Sequence, residues 1–262
     1  MEGKKLQSVA FDLSPDFASA AYLEEGERFP ITMSMCADDE KYVIPMVLYK
    51  KRNIDEWLIG DEAVFASENE ASGKENLIEN IFQIYAKGEV TYIEEKEYSG
   101  EELLKRYIKT LYAKAKSIIE FLETKRTVFT MEKLDARIVS VIRQVCEELG
   151  IDKQQLSIIG HAEAFVYYVI SSKKELWAND VTLFSMDKTR FFCQTITMRK
   201  EKSKSTIFVE EEDLSGLVKY SQIKSEKYMK EADEQFCQYL REDYRTHIVS
   251  SRSYGVSLNF GF

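Results

Sequence analysis

Histidine is nearly missing from this chain, with His161 and His247 the only two in 262 residues. A His-rich metal site is therefore excluded, and no HExxH, GxSxG or GxxxxGK(S/T) spacing marks a zinc protease, a serine hydrolase or a Walker-type phosphate loop. Ser-His-Asp and Cys-His catalysis is left without a marked nucleophile. The four cysteines, Cys36, Cys146, Cys193 and Cys237, show no CxxC pair, and the opening MEGKKLQSVAFDL holds no signal-peptide core before Asp12. We expect a cytoplasmic protein with reduced thiols. Cations are in deficit too: 36 Lys and Arg stand against 45 Asp and Glu, giving a formal charge of -9 and a pI near 5.1. Sequence-independent nucleic-acid binding and adhesion to an acidic leaflet both draw on clustered Lys and Arg, so neither partner is expected. No apolar run approaches the ~20 residues that span a bilayer. Low-complexity linkers and repeats of solenoid period are also lacking.

What is present is a 44% hydrophobic composition, ample for one or two compact units. Residues 8–22, SVAFDLSPDFASAAY, place two apolar runs around a Ser-Pro-Asp turn and predict a hairpin. Strands are expected near Tyr42 to Tyr49 and Glu56 to Ile59, and Gly60 to Ala63 then leads into a helix. From Glu101 to Leu122, Leu104, Ile108, Leu111, Ala115, Ile118 and Leu122 recur at three- and four-residue spacings, the pattern of an amphipathic helix. TVFT at 127–130 reads as a strand. Residues 135–150 read as a helix that Gly150 ends, and Leu156 to Ile159 as another strand. Ala162 to Ile170 is apolar throughout and predicts a buried helix, with Phe165, Tyr167 and Tyr168 as core. Beyond it come a second hairpin at 181–197, a short strand TIFV, a helix from Ser225 to Asp243 and a last strand from His247 to Ser250. The charge runs Lys50 to Arg52 and Glu210 to Asp213 read as solvated loops. This alternation implies mixed α/β architecture.

Taken in order, these segments resemble the nucleotide-binding domain of the DnaK-type heat-shock chaperones and, more distantly, actin. AFDLSPDFASAAYL looks like the first phosphate loop, and IPMVLYKKRNIDEWLIGDEA like the strand pair and turn that follow it. RTVFTMEKLDARIVSVIRQVCEELGID is similar to the family's strand, loop and long helix. LSIIGHAEAFVYYVI sits at the connecting motif, and VTLFSMDKTRFFCQTI at the second phosphate loop. AEAFVYYVISSKKELWANDVTLFSMD looks closer still to an uncharacterised group of bacterial actin-like proteins known as a domain of unknown function. The resemblance implies an actin-like ATPase (ribonuclease H-like) α/β fold. Residues 1–197 would form one full lobe with a mixed sheet, and residues 198–262 a partial second lobe.

An ATPase of this fold cradles phosphates between two glycine-rich hairpin loops while acidic residues hold hydrated Mg²⁺. In the first loop Asp12 falls at the metal-associated aspartate, whereas Ser14 replaces a glycine and Pro15, lacking a donor, and Asp16 replace hydroxyl residues. In the second, Ser185 falls at the aspartate and Asp187, Lys188 and Thr189 at three glycines. His161 stands where the family has its catalytic-pocket glutamate, and Glu163 lies two residues on, so a register slip would return Glu163 to a water-orienting role. Gly255, in the terminal GVSLNFGF, is the candidate for an adenosine-binding glycine turn. Each position also has a plainer reading. Asp12 would end a strand and bond turn amides, His161 would open a helix satisfied by backbone groups, and Glu163 would favour the helix N-terminus. The lost glycines imply a non-catalytic module that binds a protein partner or itself. The alternative is a divergent Mg-ATP-binding ATPase using Asp12, Lys188 and Glu163. A sugar-kinase-like phosphotransferase would need a catalytic aspartate that the sequence does not mark.

Overall fold

In the computed structural model the described residues are 4–35, 41–70, 73–132, 134–172, 180–186, 191–201, 204–214 and 251–258. The chain divides into two units, Met1–His161 and Ala162–Phe262. The first opens with β1 (Lys4–Leu13) and β2 (Phe17–Glu24), antiparallel across the Ser-Pro-Asp turn, with Asp12 opposite Ser19. β3 (Ile31–Thr32) and β4 (Ile44–Pro45) both pair with β2. A small sheet follows from β5 (Leu48–Lys50) and β6 (Trp57–Ile59), then α1 (Gly60–Asn69), a 3-10 turn at Gly73–Asn76, and β7 (Leu77–Ile78), which pairs with β5. α2 (Ile81–Lys87) leads to a hairpin of β8 (Val90–Ile93) and β9 (Lys96–Ser99).

α3 (Gly100–Ile119) is the long amphipathic helix that the spacing predicts, except that Ile118 is exposed and Leu122 belongs to the strand that follows. Ser99 and Glu102 form a capping box: Glu102 N–H donates to Ser99 Oγ at 3.2 Å, and Ser99 N–H donates to Glu102 Oε2 at 2.9 Å. These bonds hold the Glu102 carboxyl below its ordinary value. The helix starts hard against α2, because a Cβ on Gly100 would lie 2.3 Å from the Tyr85 nitrogen. Its inner face, Leu104, Tyr107, Ile108, Leu111 and Ala115, is fully buried among residues of the large sheet. A Leu so buried is stabilised by roughly 1.5–3 kcal/mol. Phe11 sits in the same core, its ring centroid 5.3 Å from Phe129 and 5.8 Å from Tyr112.

After α3 the chain returns as β10 (Phe121–Thr124) and β11 (Thr127–Met131), both parallel to β1 at successive stretches of its length. α4 (Ala136–Glu148), capped by Asp135 accepting from Ile138 N–H at 2.8 Å, crosses over to β12 (Leu156–Gly160), parallel to β11. Gly150 just past α4 takes φ +75, a conformation glycine adopts at little cost. The main path of the sheet is β12-β11-β1-β2-β3. Parallel and antiparallel strands therefore share one sheet, and the fold is mixed α/β.

α5 (His161–Ser172) opens at the junction of the units. In the second unit β13 (Val181–Met186), β14 (Phe191–Glu201), β15 (Lys204–Asp213) and β16 (Ser251–Leu258) form an antiparallel sheet in that order. Ala162, Val166, Ile196 and Val209 make its small core. The expected hairpin at 181–197 is β13 and the first part of β14. The helix expected at 225–243 and the strand expected at 247–250 lie outside the described residues.

Three further expectations need correction. Lys50 is not part of a solvated run: it is a buried residue of β5, and its ammonium donates to Glu94 Oε2. Glu210 to Asp213 belong to β15, where Glu211 Oε1 accepts from the buried Gln194 amide at 2.7 Å, so the strand runs on through the acidic stretch. Tyr167 and Tyr168 are exposed, because α5 turns Ala162 and Val166 inward, one turn apart, and carries the tyrosines on another side.

Candidate functional site

β1, β11 and β12 are parallel, so their carboxyl ends lie at one margin of the sheet, the place where open α/β sheets gather functional groups. Asp12 is the penultimate residue of β1, and Thr130 lies directly across from it in β11. His161 follows the last residue of β12. The Thr130 hydroxyl donates to Asp12 Oδ1 at 2.5 Å, and His161 Nε2 lies 2.6 Å from the same oxygen. The His161 and Asp12 side chains are 30% and 31% exposed, so the cluster borders solvent without being fully in it. One carboxylate oxygen thus gathers a hydroxyl from the neighbouring strand and an imidazole from the residue that follows the strand beyond.

The turn beside it is closed on itself. Ser14 is buried, its hydroxyl donates to the Phe17 carbonyl at 2.9 Å and accepts from Phe17 N–H at 3.1 Å, and its own N–H donates to the same carbonyl at 2.8 Å. The Asp16 carbonyl accepts from Met46 N–H at 2.9 Å, which ties the turn to the segment after β4. A phosphate cradle needs backbone N–H groups aimed outward at anionic oxygens. Here the Ser14 and Phe17 amides serve the turn, and Pro15 has none to offer. Both amides are engaged within the hairpin itself.

Glu163 lies in the first turn of α5 within the second unit, where burial raises its carboxyl above the ordinary value against a bond with Tyr167 that lowers it. Ser185 is a residue of β13 opposite Phe192, and Gly255 a residue of β16 opposite Phe208. Asp187, Lys188 and Thr189 lie outside the described residues. Among the described residues no three His, Cys, Asp or Glu side chains converge as metal ligands. Nothing in the sequence pairs Asp12 with Thr130 or His161. The faint signal for Thr130 was a polar residue closing the apolar strand TVFT. The histidine contact, spanning 149 positions, left none.

Residues 29–252 match the model of a family of unknown function, DUF5716, C-terminal. The chain belongs to that family. The matched span includes Thr130, His161 and Glu163 but begins after β2, so Asp12 and the Ser14 turn precede it. A comparison with curated proteins gives no match. Among the described residues no helix of this DUF5716 member is long and apolar enough to cross a membrane.

Proposed function

We propose that the chain is a degenerate actin/DnaK-like module that has lost phosphate chemistry and acts by binding a protein partner or a second copy of itself. The observation that carries this reading is the closed first loop: Asp12 is engaged by Thr130 and His161 while the Ser14 and Phe17 amides are turned into their own hairpin. The superfamily assignment is supported by the strand path. Numbering the large sheet's five path strands in chain order gives three-two-one-four-five, with the second antiparallel to its neighbours and the fourth and fifth parallel to the first. That path is the one a ribonuclease H-like lobe requires. The hairpin formed by β13 and β14 echoes that formed by β1 and β2, as the internal repeat of such folds would have it.

Electrostatics point the same way. A hydrated Mg²⁺ beside Asp12 would compete with the His161 donor for one oxygen, and Asp16 would add a carboxylate close to any triphosphate. Titration of the full chain with Mg-ATP and Mg-ADP in a calorimeter, to millimolar nucleotide, should give no binding heat, and phosphate release should match a blank. ATP turnover that disappears in Asp12→Ala would overturn the proposal and establish a divergent ATPase.

A further inference from the structure

β12 is the terminal strand of the large sheet, and its outer margin is unpaired among the described residues. The hydrogen-bond phase of the β11–β12 ladder shows which groups face outward. Thr127 N–H donates to the Gln155 carbonyl at 2.8 Å, and Thr127 aligns with Leu156. In a parallel pair the groups bonded to one neighbour fall on alternate residues, so Gln155, Ser157 and Ile159 serve β11. The N–H and C=O of Leu156 and Ile158 therefore project from the free side. An extended chain could take them up as one more strand.

The surface next to this margin is a built groove. Val139 on α4, with Leu156 and Ile158 on β12, lines a hollow of about 440 Å³ and packs against the main core behind it. Arg143, one helical turn beyond Val139, and Lys153, in the loop before β12, line the same hollow. Neither cation has a carboxylate partner among the described residues, in a protein whose net charge is -9. An adjoining hollow of about 540 Å³ shares Arg143, Lys153 and Leu156 and adds Glu147 and Asp152. Asp152 Oδ1 is already bonded to Gln154 N–H at 2.7 Å, so it is engaged within its own loop.

We infer that the outer edge of β12 is a docking site for an extended segment of a partner protein that pairs with Leu156 and Ile158 as an added strand. On its groove side the segment would present an apolar residue to Val139 and Ile158, and a carboxylate two positions away to Arg143 and Lys153. Successive residues of a strand face opposite sides, so this pattern has period two. The main-chain bonds supply adhesion and the paired cations select sign and register. A basic or nucleic-acid partner finds no match here: the former meets Arg143 and Lys153, and the latter the overall negative charge.

The inference rests on reading the chain as a protein-binding module and names where a partner sits. Its test uses a fluorescein-labelled peptide, TVTETVTE, against the control TVTKTVTK, followed by polarisation with the intact chain. We expect saturable binding of the acidic peptide only. Ile158→Pro removes an outward N–H at an edge position where proline is tolerated, and should abolish it. The surface double variant R143E/K153E, which leaves the backbone edge intact, should weaken the acidic peptide at least ~10-fold and make the basic one the better ligand. Circular dichroism and the fluorescence of Trp57 would verify that both variants fold. Absence of saturable binding, or binding that neither variant changes, would overturn the inference. So would concentration-dependent dimers that Ile158→Pro dissolves, since the occupant would then be a second copy. ATP turnover would refute the proposed function without altering peptide affinity, so the two failures are distinguishable.

Discussion

Replacing Asp12 by Ala would separate a structural carboxylate from one kept for chemistry. Thr130 and His161 both end on Asp12 Oδ1, at 2.5 and 2.6 Å. A hydrogen bond to a charged acceptor contributes about 1.5–3 kcal/mol when dry. With His161 and Asp12 about a third exposed, solvent screening brings each bond down to roughly 1–1.5 kcal/mol. Asp12→Ala should then cost about 2–3 kcal/mol, and His161→Ala about 1–1.5 kcal/mol. The double variant should cost less than the sum by about 1 kcal/mol, the coupling between the two groups. Urea unfolding followed by tryptophan fluorescence is the assay. A Trp177→Phe background leaves only Trp57, which is buried against Tyr98 and so reports on the first unit. A coupling near zero would refute the reasoning. Greater stability of Asp12→Ala than of the parent would do so more sharply, because residues retained for reaction often cost stability.

Two further outcomes follow from the core. Leu111→Ala, at a fully buried position on α3, should cost about 2–5 kcal/mol in the same urea experiment, whereas Phe65→Ala, 68% exposed, should change stability by less than about 0.5 kcal/mol; equal effects would contradict the packing described. Burial pushes the Cys146 thiol up to about 12 from an ordinary 9.0 and raises the Tyr107 phenol as well. Both are acids that the unfolded chain releases sooner, so the folded state holds more protons in alkali. Stability should therefore be level up to about pH 9 and fall as pH rises towards 12, and Cys146→Val should blunt the fall. A urea midpoint independent of pH over that interval would contradict this.

The elements that the sequence declares are those whose signal is local. α3 shows its buried stripe, α4 its run ending at Gly150, and the first hairpin its Ser-Pro-Asp turn. The hairpin formed by β8 and β9 carries no local signal, for a physical reason. Its turn residues Glu94 and Glu95 both take positive φ, 50 and 65, where Asn-Gly would be the usual marker. Tertiary contacts hold that turn: the Lys50 ammonium, Asn53 N–H and the Asn76 amide all reach the Glu94 carboxylate and keep its pKa low. β10 is masked as well, because Phe121 and Leu122 continue the apolar pattern of the helix before them. At the candidate site the resemblance singles out Asp12, Ser14 and His161, but that Thr130 and His161 both meet Asp12 depends on strands that only the fold makes neighbours. Ser14 could be seen to lack the freedom of glycine. That its hydroxyl would satisfy Phe17, and so shut the turn, depends on geometry no spacing records.

The placement of β1 has a consequence for biosynthesis. This strand is sandwiched between β2 and the parallel pair β10 and β11, and Asp12 meets Thr130 across 118 positions of sequence. At about 5–20 residues per second on the ribosome, β1 gains β2 on one side almost at once, while its other side waits roughly 6–24 s for its neighbour to be made. During that interval Val9, Phe11 and Leu13, later completely enclosed, sit on a nascent hairpin with an open edge. The emerging polypeptide thus offers a sticky apolar ribbon well before its sheet can close.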